Sequence, residues 1–331
     1  MNILVTGAAG YIGSHTCRWL TEQGHTIVAF DNLSRGHRRA VEIALPQGEF
    51  VLGDLHDQDL LRATLNDHSI EAVVHFAAFG LVGESVEQPE LYHDNNVEGS
   101  RSLISATVRQ GIKRFVFSST TAIYGEPDDM PITESCPTNP ISPYGQTKLE
   151  VEKLLLEARK EHGLGFAALR YFNAAGAHPN GDLGEDHDPE THLIPIVFQV
   201  ALGQRDEIQV FGNDYPTPDG TCVRDYIHVL DLAHAHQLAL QVLQPAGQIQ
   251  VNLGTGTGHS VMQIIESARE VSGCEIPARI GDRRAGDPAL LIADNQRAYD
   301  KLGWTPQHSS LNAIMSTAWN WHQSHPSGYA T

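Results

Sequence analysis

Ile3-Leu4-Val5-Thr6-Gly7-Ala8-Ala9-Gly10-Tyr11-Ile12-Gly13 decides the fold. A short apolar strand runs into three glycines spaced three apart, and the stretch from about Tyr11 to Gln23, stopped by Gly24, reads as a helix. A Gly-x-x-Gly-x-x-Gly turn lets the main chain approach a pyrophosphate, which then sits on the free N–H groups of the helix start. The next strand, Thr26 to Phe30, ends in Asp31, 18 residues past Gly13. An acidic residue at that distance binds the 2′-hydroxyl of an adenosine ribose. The same carboxylate repels a 2′-phosphate, so NAD is expected rather than NADP. Arg35 is expected along the ribose or in solvent.

Outward from that unit the alternation continues. Phe50-Val51-Leu52 reads as a third strand leading into Gly53-Asp54-Leu55, and Asp57 to Asn66 as a helix. Ala72 to Phe76 is a fourth strand followed by the small residues Ala77 and Ala78. A helix is expected from Asn96 to Arg109, a strand from Phe115, a long helix to His162 and a strand from Phe166 to Leu169. Regular strand–helix alternation gives an α/β fold, a Rossmann-type doubly wound parallel sheet. Ligands bind such sheets at the strands' carboxyl ends. There Asp54 can accept from an adenine amino group, while Ala77 and Ala78 leave room for the cofactor.

Composition shifts after Asn173, so residues 1–173 are read as the NAD-binding domain and 174–331 as a smaller α+β substrate domain. Ile249 to Leu253 looks like a strand that rejoins the main sheet before a helix from Val261 to Val271. The substrate domain is therefore discontinuous, with the chain returning near 225–265, and Leu311 to Trp321 forms the last helix.

Ser118-Ser119-Thr120-Thr121 places hydroxyls at the carboxyl end of the strand from Phe115. Ser142 suits an N-cap and Pro143 the first helical position. Tyr144 and Lys148 then stand four apart, on one helix face that Val151 and Leu155 continue. A free tyrosine titrates near pKa ~10, too high for a base at neutral pH. A neighbouring cation lowers it, so Tyr144 can take a proton from a substrate hydroxyl that Thr120 also holds. A bare Tyr-x-x-x-Lys equally fits an ordinary helix with a snorkelling lysine; the glycine-rich turn is what favours catalysis.

The net charge of −18 over 331 residues argues against a nucleic-acid or anionic-membrane partner. Four scattered cysteines without Cys-x-x-Cys indicate neither a disulfide framework nor a zinc knuckle. Met1 leads straight into a strand and no apolar run reaches the roughly 18 residues of a membrane span. A soluble, cytoplasmic protein is expected. Glu185, Asp186, His187, Asp188 and His192 lie in a Gly/Asp/Pro-rich stretch with no helical or finger spacing. That stretch reads as a solvated loop at the rim of the cleft, and no metal centre is expected. His234 and His236, two apart on a helix, point in different directions.

Val5 to His15, Asp31-Asn32-Leu33, Val82-Gly83-Glu84-Ser85, Asp94-Asn95-Asn96-Val97 and Ser142 to Lys148 carry a resemblance that spans nearly the whole chain. Arg170-Tyr171-Phe172-Asn173, Gly176-Ala177-His178-Pro179, Phe211 to Thr217 and Arg224 to Val229 complete it. The chain resembles the extended short-chain dehydrogenase/reductase family, and within it the UDP-glucose 4-epimerase branch. The resemblance implies reversible C4 epimerisation of UDP-galactose and UDP-glucose through a 4-keto sugar, with NAD retained, in a homodimer paired through the helices starting near Asn96 and Tyr144. Tyr144, Lys148 and Thr120 become its catalytic residues. Its cofactor contacts become Gly7, Gly10, Tyr11, Ile12, Gly13, Asp31, Asn32, Leu33, Ser34, Arg35, Gly36, Asp54, Leu55, Phe76, Ala77, Ala78, Asn95, Phe172 and the Tyr144–Lys148 pair. Substrate contacts implied alongside Thr120 and Tyr144 are Asn173, His192, Leu193, Gln209, Phe211, Arg224, Tyr226, Arg284, Asp287 and Leu291. Ile208 to Phe211 lies along the uracil by the same likeness, and Arg224 and Arg284 face the two phosphates; on the residues alone, ion pairs with Asp225 or Asp287 fit these arginines as well.

Four positions depart from the family pattern. Thr120 stands for serine and keeps the hydroxyl, Gly80 replaces a lysine of some members, His192 replaces an asparagine, and Leu291 replaces a tyrosine that walls the sugar pocket. The last opens the question of N-acetylated sugars. A dehydratase needs an acid/base pair after the threonine, where this chain has Thr121-Ala122. A pentose or uronate epimerase would share this fold, as would a non-enzymatic NAD-binding module. A uronate calls for an extra cation in the sugar pocket, and none is evident. The retained Thr120, Tyr144 and Lys148 argue against the binding module.

Overall fold

Consecutive residues of the strand Asn2–Thr6 enter different cores: Ile3 and Val5 pack into one apolar cluster and Leu4 into another. Thr26–Asp31 does the same, with Ile27 and Ala29 on one side and Val28 and Phe30 on the other. A strand points successive side chains to opposite faces, so uninterrupted apolar runs mean that helices cover the sheet on both sides. The computed structural model describes residues 1–127, 129–284 and 286–329.

Seven parallel strands form that sheet, in the order Gln248–Leu253, Gly165–Tyr171, Arg114–Thr120, Ala72–His75, Asn2–Thr6, Thr26–Asp31 and Glu49–Leu52. From Asn2–Thr6 the chain builds outward in one direction and then restarts on the other side with Ala72–His75. This reversal opens a crevice at the carboxyl ends, where doubly wound sheets bind ligands. The helix Tyr11–Glu22 follows the first strand. The expected helix from Asn96 begins earlier, as a π-turn over Asp94–Glu98 that runs into Gly99–Arg109. Short helices at Arg38–Ala44, Val82–Glu87 and Pro89–His93 had no clear sequence signal.

The long helix Pro143–His162 starts as its sequence dictates. The Ser142 side chain accepts from the Gly145 N–H at 3.1 Å, and Gly163 ends the helix in a left-handed conformation with φ 68°. Val151 and Leu155 are fully buried against the sheet.

The later strands are short and form three small sheets. Asn173–Ala175 pairs with Tyr226–His228, Ile208–Phe211 with Ala278–Gly281, and Val223–Arg224 lies between His259–Ser260 and Leu290–Leu291. A separate core of Ile194, Phe198, Val210, Ile264, Ile314 and Met315 holds this part together. Gln248–Leu253 joins the large sheet beside Gly165–Tyr171, so the chain does return there.

Candidate active site

A cleft of about 1120 Å³ runs from the glycine-rich turn, across the carboxyl ends of the strands, to Arg224, Arg284 and Leu291. At its floor the turn admits no side chain where it is closest to the sheet. A Cβ on Gly7, whose φ is 72°, would lie 2.4 Å from the Ala77 nitrogen, and one on Gly13 would lie 2.0 Å from the Gly7 carbonyl oxygen. Such a cradle, opening on a helix N-terminus, fits a dinucleotide's pyrophosphate.

Asp31 sits at the end of its strand and lines the cleft. Its carboxylate accepts from the N–H of Ala9 at 2.9 Å and of Leu33 at 2.8 Å, which fixes both the glycine turn and the following loop. Burial raises its pKa while these two bonds oppose the rise. Asp54 accepts from Asn32 at 2.8 Å and from the His56 N–H at 2.9 Å, so it stands oriented beside the expected adenine position.

Of the expected cofactor contacts, Gly7, Gly10, Tyr11, Ile12, Gly13, Asp31, Asn32, Ser34, Arg35, Gly36, Asp54, Leu55, Phe76, Ala77, Ala78, Asn95, Tyr144, Lys148 and Phe172 line the cleft. Leu33 does not; it packs against the core while its N–H serves Asp31. Arg35 lines the cleft with a partly exposed side chain. It pairs with Glu84 at 2.7 Å and its guanidinium covers the Phe79 ring at 4.9 Å. A partner 49 residues away in sequence left no local signal.

At the catalytic end, Thr120, Tyr144 and Lys148 line one stretch of the cleft. Lys148 donates to the Ser118 carbonyl at 2.8 Å, and its ammonium nitrogen lies 5.9 Å from the centre of the Tyr144 ring. The expected depression of the phenol by this cation is corrected here. Burial dominates both groups: it pushes Tyr144 up to about 12, with the Thr120 hydroxyl pulling against it, and lowers Lys148 to about 7. Both groups line the cleft, and the ammonium turns to a carbonyl rather than to the phenol. Behind them, Glu152 and Arg170 form a buried two-pronged ion pair at 2.9 and 2.6 Å, which the sequence reading missed. Ser119, next to Thr120, donates to the same carboxylate at 2.6 Å.

Toward the other end, Asn173, His192, Arg224, Arg284, Asp287 and Leu291 line the cleft together with Thr120 and Tyr144. Leu193, Gln209, Phe211 and Tyr226 do not. Leu193 and Tyr226 pack with the core of the smaller sheets, Gln209 is exposed, and the Phe211 ring lies 3.9 Å beneath the Arg284 guanidinium. Arg224 is ion-paired with Asp287 and donates to the Val223 carbonyl, while Asp225 instead braces Thr255, Gly256 and Ala293. Among the described residues Arg284 has no carboxylate in salt-bridge range, so it is the cation left for an anionic ligand. Leu291 neighbours Arg224 in the small sheet and packs with Ile123, Tyr124 and Ile132. A Cβ at Gly80 would meet nothing within 4 Å, so the lysine position of other family members is open space.

The stretch 180–190 is not the solvated loop expected. Glu185 and Glu190 side chains are only 6% and 5% exposed, and His187 and His192 close on them. His234 and His236 do diverge: His234 leans on Trp19, whereas His236 is buried against Phe76.

The chain is similar to the UDP-glucose 4-epimerase of Halalkalibacterium halodurans, with 54% identity over 332 residues covering 100% of this chain and 98% of that protein. A solved UDP-glucose 4-epimerase from Brucella ovis in complex with NAD superposes with a TM-score of 0.93 at 49% identity, covering 96% of this chain and 97% of that one. A UDP-glucose-4-epimerase from Stenotrophomonas maltophila with bound NAD and formylated UDP-arabinopyranose gives 0.95 at 44% identity, covering 98% and 99%. Residues 3–254 match the sequence model of one family, and they contain the glycine cradle, Asp31 and the Tyr144–Lys148 pair. By sequence, fold and site, this chain belongs to the NAD dependent epimerase/dehydratase family.

Proposed function

We propose that the chain catalyses reversible C4 epimerisation of UDP-galactose and UDP-glucose in galactose metabolism. The observation that carries this reading is one continuous cleft. It joins a pyrophosphate cradle, the Thr120–Tyr144–Lys148 cluster and, at its far end, Arg284 free of any carboxylate among the described residues. Relatives named as UDP-glucose 4-epimerases along their full length support it.

Held by the glycine cradle and Asp31, NAD would supply a reversible hydride acceptor for C4 of the sugar and a positive charge that favours ionisation of a nearby phenol. Tyr144 takes the 4-hydroxyl proton and gives it back, while Thr120 hydrogen-bonds the same oxygen. Against the burial that raises the phenol, a protonated Lys148, 5.9 Å from the ring centre, is the nearby charge that would favour the phenolate once substrate and cofactor are bound. Arg284 binds a phosphate of the nucleotide, where a planar guanidinium suits phosphate oxygens. The 4-keto sugar must turn over between the two hydride transfers, so the UDP is held firmly and the sugar loosely. Residues 1–173 with the returning strand and helix hold the NAD, and the later residues hold the UDP-sugar. A second copy packs along the helices Gly99–Arg109 and Pro143–His162, where Val108, Leu154 and Leu156 are only partly buried. No helix among the described residues is long and apolar enough to cross a membrane.

The test is to incubate the purified protein with UDP-galactose and resolve the products, then denature it and identify the released nucleotide. UDP-glucose and NAD are the expected species. Recovery of NADP, or no interconversion by folded, NAD-containing protein, refutes the reading.

A further inference from the structure

We propose that Glu185, His187, Glu190 and His192 form a structural Zn²⁺ site at the rim of the cleft. Each offers one ligand atom, and the four atoms lie within 4.8 Å of one another. The His192 Nδ1 atom is 3.0 Å from Glu185 Oε1 and 3.0 Å from Glu190 Oε1. The His187 Nδ1 atom is 3.3 Å from Glu185 Oε1 and 3.7 Å from Glu190 Oε2. Zinc holds imidazole nitrogen and carboxylate oxygen at about 2.0–2.2 Å in a tetrahedron, whose edges are then roughly 3.3–3.5 Å. These four separations lie near that length and every pair of ligand atoms lies within 4.8 Å, so the side chains would close inward around an ion.

Two further observations bear on what this cluster holds. Among the described residues no lysine or arginine pairs with Glu185 or Glu190, although both carboxylates are almost wholly removed from solvent. Two histidines are the groups that face these buried carboxylates, and either their protons or a dication balances the charge. Secondly, the His187 Nδ1 atom is buried and makes no hydrogen bond, despite two carboxylate oxygens nearby. A donating N–H would be expected to aim at one of them. With its proton lost, a nitrogen so placed could serve as a metal ligand.

The donor set selects the ion. Ca²⁺ and Mg²⁺ take six or more oxygens, or keep several waters. Two imidazoles with two carboxylates suit zinc, and the two negative charges balance a dication. Four protein ligands make a closed site, so its role is to hold the chain. The His187 ring stands edge-on to Tyr11, at 6.4 Å, in the glycine-rich turn. His192 is the N-cap residue of the helix Leu193–Ala201. The ion therefore ties the rim of the cofactor cleft to both.

Zinc content of chelator-treated, dialysed protein is measured after titration with Zn²⁺, alongside thermal unfolding and the visible spectrum with Co²⁺. One zinc per chain, a raised Tm with Zn²⁺ but not Mg²⁺, and the intense bands of tetrahedral Co²⁺ are expected. His187→Ala and Glu190→Gln are expected to weaken zinc binding by at least the roughly 10- to 100-fold that loss of an outer-shell partner costs. Substoichiometric zinc in the parent, or equal zinc retention by the folded variants, overturns the proposal. Should the variants fail to fold, the parent decides alone: no Zn²⁺-dependent Tm shift and no tetrahedral Co²⁺ spectrum overturn it as well.

Discussion

Glu152→Gln tests how far the buried ion pair behind the catalytic strand supports the fold. Glu152 and Arg170 are only 3% and 6% exposed, and the guanidinium meets the carboxylate through two nitrogens. Ser119 and Gln250 donate to the same carboxylate at 2.6 and 2.7 Å, and Arg170 also donates to the Tyr124 hydroxyl at 2.8 Å. Glutamine keeps the shape but leaves the arginine charged, buried and without a counter-charge. Breaking a buried pair by removing one partner costs about 3–5 kcal/mol. Unfolding entropy is roughly 2.1 cal/mol/K per residue, or about 0.7 kcal/mol/K for a chain of 331 residues. The expected loss is thus ~4–7 °C in Tm, read by calorimetry. Arg170→Met is expected to lose a similar amount. The double variant Glu152→Leu/Arg170→Met is expected to recover part of it, because no isolated charge remains. Single losses under about 1 °C, or losses that simply add, would refute the reasoning.

Tyr144→Phe is expected to keep the fold and the bound nucleotide but lose about 10²- to 10⁴-fold in turnover; near-parental rates would remove Tyr144 as the acid/base. Burial lowers Lys148 from its ordinary 10.5 to about 7. Between those values the unfolded chain holds a proton that the folded one has shed, so stability rises with pH across this window. Lys148→Met is expected to flatten that rise by a few kcal/mol, at about 1.4 kcal/mol per unit, and identical Tm-against-pH slopes would count against it. Leu291→Tyr is expected to reduce kcat/KM on N-acetylated UDP-sugars by about 10- to 200-fold relative to the glucose–galactose pair; an unchanged ratio means that Leu291 does not gate the pocket. Sedimentation at micromolar concentration is expected to give a dimer, and a clean monomer refutes the packing along the two helices.

The sequence alone determined whatever is governed by local periodicity or fixed spacing. Ile3 to Gly13 specifies strand, turn and helix, because glycine adopts the positive φ of Gly7 without strain and no side chain fits the close approach at Gly7 and Gly13. Ser142, Tyr144 and Lys148 were placed correctly on one helix because capping and the four-residue repeat are local rules. Tertiary structure decided everything set by partners distant in the chain. Arg35 meets Glu84 and Glu152 meets Arg170, pairings that no spacing announces, and of the two acids the sequence offered Arg224 it is Asp287 that pairs. It also decided the protonation balance of Tyr144 and Lys148, since desolvation depends on what encloses a group. The loop 185–192 lies at the limit of sequence reading. It has no period to follow, so only the folded path of the backbone brings the Glu185 and Glu190 carboxylates and the His187 and His192 imidazoles within 4.8 Å of one another.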